Sequence, residues 1–505
     1  MNDSTGTRLL RKPFGDVQRD AAVQDLSRSL GAWHLVFFGV GCIIGSGIFV
    51  LTGNAAANFA GPAVLLSFLI AGLACGFAAL CYAELASTMP VAGSAYTYAY
   101  ATLGEVCAWT SGWLMVLEFG VASALVAVGF SGYFTSLLRD FGLFVPTQLA
   151  TPFIDSIASA HGLVFTAGHG INLVAALAVL AIATLLSFGI VLSAAVNSVM
   201  VVVKVTVLVA FVAVGIWWIE PHNWVPFVPA NQGGFTYGWP GVVRAASVIF
   251  FAYVGFETVS TAGLESRDPR RDLPLGILGA LLICTVIYLS VAAVLTGLVP
   301  FRNLAVPDPL AVAVNGMRMP WFALMIKLGA ALGLLSVTLT TLYGQTRVFY
   351  AMSRDGLLPE VFSRISPRWR TPRRGTLIVG SLVALAAALL PISILSDIVS
   401  LGTALAFSIV ALSVMWLRST QPDLPRPFRV PLDGIRIGGA WIGVVPVLAI
   451  VFCILMVLPL IIDIVGKAMH GNAIPAFLLG GYCAMGLLVY LGYGRRHSKL
   501  RGART

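Results

Sequence analysis

Four glycines fall within nine residues at Gly39, Gly41, Gly45 and Gly47, in the middle of a long apolar run. A helix interrupted there leaves backbone N–H groups free at the start of its second half, the end that carries partial positive charge. Gly45, Ser46 and Gly47 offer such groups to an anion, with no bulky side chain to keep a carboxylate away, and Ile43 borders them. A second run reads Phe250-Phe251-Ala252-Tyr253-Val254-Gly255-Phe256-Glu257, with one central glycine followed by an acid. A break there frees the carbonyls of Phe250, Phe251, Ala252 and Val254 to accept from an ammonium. An anion site facing a cation site fits the two ends of a zwitterionic α-amino acid. This is binding by main-chain groups, without a buried formal charge. Phe251 either closes over such a ligand or packs as an ordinary core ring. The competing reading of the glycines is close helix packing. It accounts for Gly41 and Gly45 but needs neither Ser46-Gly47 nor the matching interruption at 254–255.

Ionisable residues inside apolar runs carry the second kind of chemistry, proton transfer. Lys204 lies nine residues into its run, ~13 Å deep at a helical rise of 1.5 Å per residue, too deep for easy snorkelling. A charged lysine at a helix centre costs about 2.5–3.5 kcal/mol on insertion scales, and a desolvated lysine can exchange a proton. Glu118 and Glu257 are the next candidates, either as proton carriers or as hydrogen-bond partners for freed backbone N–H groups. Lys327 is expected to snorkel, and Arg244 to meet lipid headgroups or a gate. The six histidines lie in loops or near the ends of runs, so no histidine-based catalytic or metal site is expected. The seven cysteines form no CxxC pair, so neither a disulfide framework nor a zinc site is expected and packing is their reading. No cofactor is expected.

These residues must be held by elements that live in lipid. Of 505 residues 58% are hydrophobic and only 10% charged, against about 25% charged in soluble domains. A bilayer core needs roughly 20 helical residues to cross, and the apolar runs 33–57, 62–88, 105–137, 171–190, 196–219, 240–264, 274–298, 320–348, 375–391, 396–417, 441–463 and 473–493 meet that length approximately. They are continuous rather than alternating in tens, which excludes a β-barrel. The expected fold is an all-α integral membrane protein of twelve transmembrane helices. The first 30 residues are polar and charged, with no apolar core ahead of a cleavage site, and read as a solvated tail rather than a signal peptide. Lys and Arg collect in that tail, at Arg267, Arg270 and Arg271, along 347–374 and 418–436, and after 494. Roughly 24 of the 31 then fall on one side, the positive-inside bias, which places both termini in the cytoplasm. The net charge of +10 concerns topology and anionic lipid. A nucleic-acid role would need a soluble basic domain, and none is present. The segment 355–374 reads as an amphipathic cytoplasmic helix.

The interrupted runs are the first and the sixth, at corresponding places in two sets of five. Such a pair is the sequence pointer to inverted repeats with a site at the membrane midplane. The organisation expected is a tail over 1–32, helices 1–5 over 33–219, helices 6–10 over 240–417, two extra helices over 441–493, and a tail over 494–505.

Several motifs make the resemblance specific. They are Gly39-Val-Gly-Cys-Ile-Ile-Gly-Ser-Gly-Ile-Phe-Val-Leu-Thr-Gly53, Tyr82-Ala-Glu-Leu-Ala-Ser-Thr-Met-Pro-Val-Ala-Gly-Ser-Ala-Tyr-Thr-Tyr98, Phe250–Glu257, Arg267-Asp-Pro-Arg-Arg-Asp-Leu-Pro274 and Tyr343-Gly-Gln-Thr-Arg-Val-Phe-Tyr-Ala-Met-Ser-Arg-Asp-Gly-Leu-Leu-Pro359. With these the chain resembles a bacterial member of the cationic amino acid transporter family, in the amino acid–polyamine–organocation superfamily, from about residue 30 onward. The resemblance implies a five-plus-five inverted repeat with broken helices 1 and 6, and uptake of amino acids across the inner membrane. It implies proton coupling, because Lys204 matches a lysine standing where sodium-coupled relatives hold an ion. Glu257 stands where relatives often carry aspartate. Thr341 matches a position bordering the side-chain pocket, where it leaves more room than the methionine of some bacterial relatives. An amino acid exchanger is the competing reading. A sensor or intramembrane enzyme lacks a catalytic motif here, and a channel lacks a filter.

Overall fold

The computed structural model describes residues 11–12, 30–91, 93–159, 162–188, 190–317, 319–369, 371–469 and 471–502. Most of the expected N-terminal tail, including Arg8, Arg19 and Arg28, lies outside the described residues, as do Arg370 and Arg504. Backbone groups in lipid must be satisfied within their own segment, so the apolar runs are helices. In chain order they are α1 Ala32–Ile43, α2 Val64–Thr88, α3 Ser94–Thr102, α4 Glu105–Met115, α5 Ala122–Asp140, α6 Leu173–Ser187, α7 Ile190–Gly215, α8 Gly238–Ile249, α9 Pro269–Leu298, α10 Pro320–Arg354, α11 Arg373–Leu389, α12 Ile392–Thr420, α13 Val444–Met469 and α14 Ile474–Val489. Helix falls on every apolar run read from the sequence. Among the described residues nine helical stretches are long and apolar enough to cross a membrane, and α1 and α6 are shorter apolar helices. Two small antiparallel hairpins, Ile154–Ser159 with Gly162–Ala167 and Ile435–Ile437 with Ala440–Ile442, fill connections.

Two departures from regular helix position the site. After α1 the chain turns out at Ile44, whose ψ of 103° is extended, and resumes as a π-helical stretch Gly47–Leu51 that continues to Ala60. After α8 it tightens into a 3₁₀ turn Phe250–Tyr253, opens at Val254, and restarts as the short helix Thr258–Thr261. A third irregularity is the π-helical segment Val116–Val121 that joins α4 to α5. π-Segments of this kind are frequent at functional sites. Around these, α9 lies along α1 and α2, and α10 lies along α5 and α7.

Three expectations are corrected. Lys327 does not snorkel: it is 4% exposed and its ammonium donates to Asp140 at 2.6 and 2.8 Å. Of the two readings of Arg244, headgroup contact alone is overturned, not the gate: the residue is 2% exposed and meets protein carboxylates. Its Nη2 donates to Asp397 at 2.8 and 3.0 Å and to Asp463 at 3.2 Å. The segment 355–374 forms no amphipathic helix. Before the first turn of α11 begins at Arg373, its helical piece among the described residues is the 3₁₀ turn Glu360–Phe362. Pro359, Pro367 and Pro372 remove donors and clash with the preceding turn.

Candidate functional site

The two interrupted segments pack backbone against backbone. A Cβ placed on Gly47 would lie 2.3 Å from Ala252 Cβ and 2.4 Å from its Cα, so only glycine fits. Gly255, at φ +123°, likewise has no room: a Cβ there would lie 2.8 Å from the carbonyl of Cys42. Positive φ and close approach both demand glycine at 255. The residues expected to bind a zwitterion, Ile43, Gly45, Ser46 and Gly47 with Phe250, Phe251, Ala252 and Val254, are therefore brought together. All eight are buried. The amides of 45–47 open the second half of the first interrupted segment, while the 3₁₀ turn Phe250–Tyr253 ends the first half of the other.

Some of the polar groups at this crossing are engaged by the protein. Tyr288 Oη on α9 lies 2.8 Å from Ile43 O and 2.9 Å from Ala252 O, and one hydroxyl proton serves both half-helix ends. Val254 N donates to Phe251 O at 3.0 Å. Thr52 Oγ1 donates to Gly47 O at 3.1 Å, and Tyr133 Oη donates to Phe49 O at 2.7 Å. Each carbonyl keeps a second lone pair, so Ala252 O and Phe251 O retain capacity to accept from a ligand. Ser46 Oγ is buried and has no partner among the described residues. Phe250 packs at 5.8 Å, centroid to centroid, on Phe407, while Phe251 has 5% of its surface exposed.

Lys204 on α7 is fully buried and aimed at the same crossing. Its ammonium donates to Gly41 O, to Ile44 O at 2.8 Å and to Ser336 Oγ at 3.3 Å, and Ser336 passes the hydrogen bond on to Asn197 Oδ1 at 2.8 Å. Three ammonium donors thus meet three acceptors. A cation at the carbonyl end of α1 also complements the helix dipole. Snorkelling is excluded by this geometry. Lys204 joins α7, the break after α1, and α10.

The two glutamates meet each other. Glu257 folds back so that both its oxygens accept from Gly255 N, at 2.9 and 3.0 Å. Glu118, on the π-helical segment, faces Glu257. As carboxylates neither has a proton to donate, and both Glu118 oxygens find no donor among the described residues. Thr341 on α10 lies near this segment, with its hydroxyl 2.7 Å from Ser123 Oγ and 2.7 Å from Val337 O. Sequence reasoning missed Tyr288, Ser336 and Asn197. A lone tyrosine or serine in an apolar helix carries no spacing signal, and only the crossing of elements shows what each one reaches.

The family model for amino acid permeases matches residues 30–483. The chain is 42% identical over 497 residues to the branched-chain amino acid permease BcaP of Bacillus subtilis (strain 168), covering 96% of this chain and 99% of that protein. It is 39% identical over 490 residues to the methylthioribose transporter of the same organism, covering 97% and 98%. It is 40% identical over 398 residues to the vacuolar cationic amino acid transporter 4 of Arabidopsis thaliana, covering 79% of this chain and 64% of that longer protein. A body of apolar helices, two broken segments crossing at its centre, and similarity along nearly the whole length agree: the chain belongs to the amino acid permease family, a multi-pass membrane transporter and not an enzyme.

Proposed function

We propose that this permease imports L-α-amino acids across the inner membrane by proton symport and alternating access. The observation that carries the reading is the backbone crossing at Gly47–Ala252 and Cys42–Gly255. It juxtaposes amide donors at a half-helix start with carbonyls at a half-helix end, complementary to the carboxylate and ammonium of a zwitterion. In this reading Ile43, Gly45, Ser46, Gly47, Phe250, Phe251, Ala252 and Val254 hold the amino acid backbone and Thr341 borders its side chain. Lys204, Glu118 and Glu257 carry the coupling proton. A proton placed on either glutamate turns two facing acceptors into a hydrogen bond, which supports the pair as a carrier site. The ammonium of Lys204 grips Gly41 O and Ile44 O at the hinge of the first span, so its protonation state is tied to the shape of the break. The architecture is twelve crossings: inverted repeats over 33–219 and 240–417, extra helices over 441–493, and both termini in the cytoplasm. Contact of Lys12 with Asp355, and of the Lys499 amide with the Asp355 carbonyl, supports placing both tails on one face.

The test is uptake of an amino acid panel by proteoliposomes, with and without an inward proton gradient, for the wild type and Lys204→Ala. Gradient-driven accumulation that disappears in the variant supports the reading. Uptake that requires preloaded amino acid and ignores the gradient would establish exchange instead. Unchanged gradient dependence in the variant would remove Lys204 from coupling.

A further inference from the structure

One stripe of α10 runs from the helix break to a buried side-chain amide. Val337, Thr341 and Gln345 are spaced by four residues and so share a face. Val337 packs on Gly45, its Cγ2 3.1 Å from where a Cβ would stand. Thr341 meets Ser123. Gln345 ends the stripe about 12 Å from Val337, at 1.5 Å rise per residue. Its amide lies against Gly120 in the π-helical segment, with Oε1 3.5 Å from where a Cβ on that glycine would stand.

Gln345 is fully buried, and neither Oε1 nor Nε2 has a partner among the described residues. A primary amide brings two N–H donors and a carbonyl with two lone pairs, and burying these unpaired is unfavourable. Two more groups share the condition: Ser46 Oγ at the break and both oxygens of Glu118, two residues before Gly120. Unpaired polar atoms therefore stand at both ends of the stripe, Ser46 Oγ at the break and the Gln345 amide with Glu118 beyond the hydrogen-bonded Thr341. An aliphatic substrate side chain pointing this way would leave the Gln345 amide unsatisfied. A polar one long enough to reach Gln345 would satisfy the amide.

We infer that Gln345 is a specificity-determining residue that accepts the N–H donors at the end of an extended substrate side chain, an amide or an ammonium or guanidinium group. This rests on the proposed amino acid transport and narrows its substrate class. A site built to hydrogen-bond a substrate group discriminates strongly against the analogue lacking it, whereas a hydrophobic slot discriminates weakly.

Near-isosteric pairs test it in proteoliposomes: L-glutamine against L-methionine, and L-lysine against L-norleucine, each as uptake substrate and as competitor. The wild type should prefer the polar member of at least one pair by about tenfold or more, and which pair responds distinguishes amide from cationic recognition. Gln345→Leu should remove that preference, depressing the polar member and leaving the apolar member within about threefold. Gln345→Glu should shift the balance toward lysine, and it keeps the test valid if the leucine variant misfolds. Equal or better handling of methionine and norleucine by the wild type overturns the inference. So does a uniform loss across all four substrates in both variants, which is the signature of a structural role. Failure of every α-amino acid, polar or apolar, to enter or compete would instead overturn amino acid transport itself.

Discussion

At the scale of single residues, the site depends on polar groups whose partners are fixed. Lys204 satisfies two carbonyls at the end of α1 and the hydroxyl of Ser336. Lys204→Met keeps the length of the stem and removes the ammonium, leaving those acceptors in a dry interior. An unsatisfied buried acceptor costs about 1–3 kcal/mol, so the variant should melt several degrees lower in detergent and lose gradient-driven uptake. Thermal unfolding followed by fluorescence, beside the uptake assay, checks both. Tyr288→Phe is the milder counterpart. It deletes one hydroxyl shared by Ile43 O and Ala252 O, and its cost should be about 1–3 kcal/mol, the penalty for leaving buried acceptors unsatisfied, with no charge stranded. A larger fall in uptake than in melting temperature would mark the hydroxyl as a guide for the two half-helix ends. Lys204 was legible in the sequence because a lysine deep in an apolar run is rare. Tyr288 was not, since nothing local distinguishes it from a packing ring.

At the scale of elements, the breaks were legible and their fit was not. Glycine density named the first break and the Gly255–Glu257 pattern the second, because few residue types tolerate an interrupted membrane helix. The closeness of the two backbones needs coordinates, and it ranks the glycines sharply. Gly47→Ala would press a methyl to within 2.4 Å of Ala252 Cα, a backbone atom that cannot rotate away, and should abolish uptake while the protein still inserts. Gly45→Ala meets only the methyl groups of Val337 at 3.1 and 3.2 Å, which can turn, so it should retain measurable transport. Adding Ala252→Gly to Gly47→Ala should not restore activity, since the Cα remains in place. Recovery in that double variant would show that the clash is between side chains and that the segments can move apart. The π-helical segment Val116–Val121 left no trace in the sequence. The run around Glu118 reads as ordinary apolar helix, and one extra residue in a turn changes no periodicity over so short a stretch.

At the scale of the whole molecule, ionic groups bind distant segments at the two ends of α12. Arg244 reaches Asp397 near its start, while Arg418 near its end grips Glu84 on α2 at 2.8 and 2.5 Å. These pairs explain why the sequence misjudged buried charges: the partners of Arg244 lie 153 and 219 positions away, and that of Lys327 lies 187 positions away. A charge read without its partner looks as if it must escape to solvent. Glu84 is fully buried and also accepts from Val430 N at 2.8 Å, with the Arg418 guanidinium stacked 4.2 Å from the Trp441 ring. Breaking a buried pair by removing one member costs about 3–5 kcal/mol, because it strands the other charge, whereas replacing both is far less harmful. Arg418→Met alone should therefore destabilise the protein, by less than the full cost of a stranded charge because Arg426 Nε stays 3.6 Å from Glu84 Oε1. Glu84→Gln combined with Arg418→Met should recover much of the loss, the glutamine still accepting from Val430 N. A double-mutant cycle on melting temperature and folded yield measures this coupling. If the double variant is as unstable as the sum of the singles, the two side chains act independently and the clasp between α2 and α12 rests on packing around Trp441 rather than on charge.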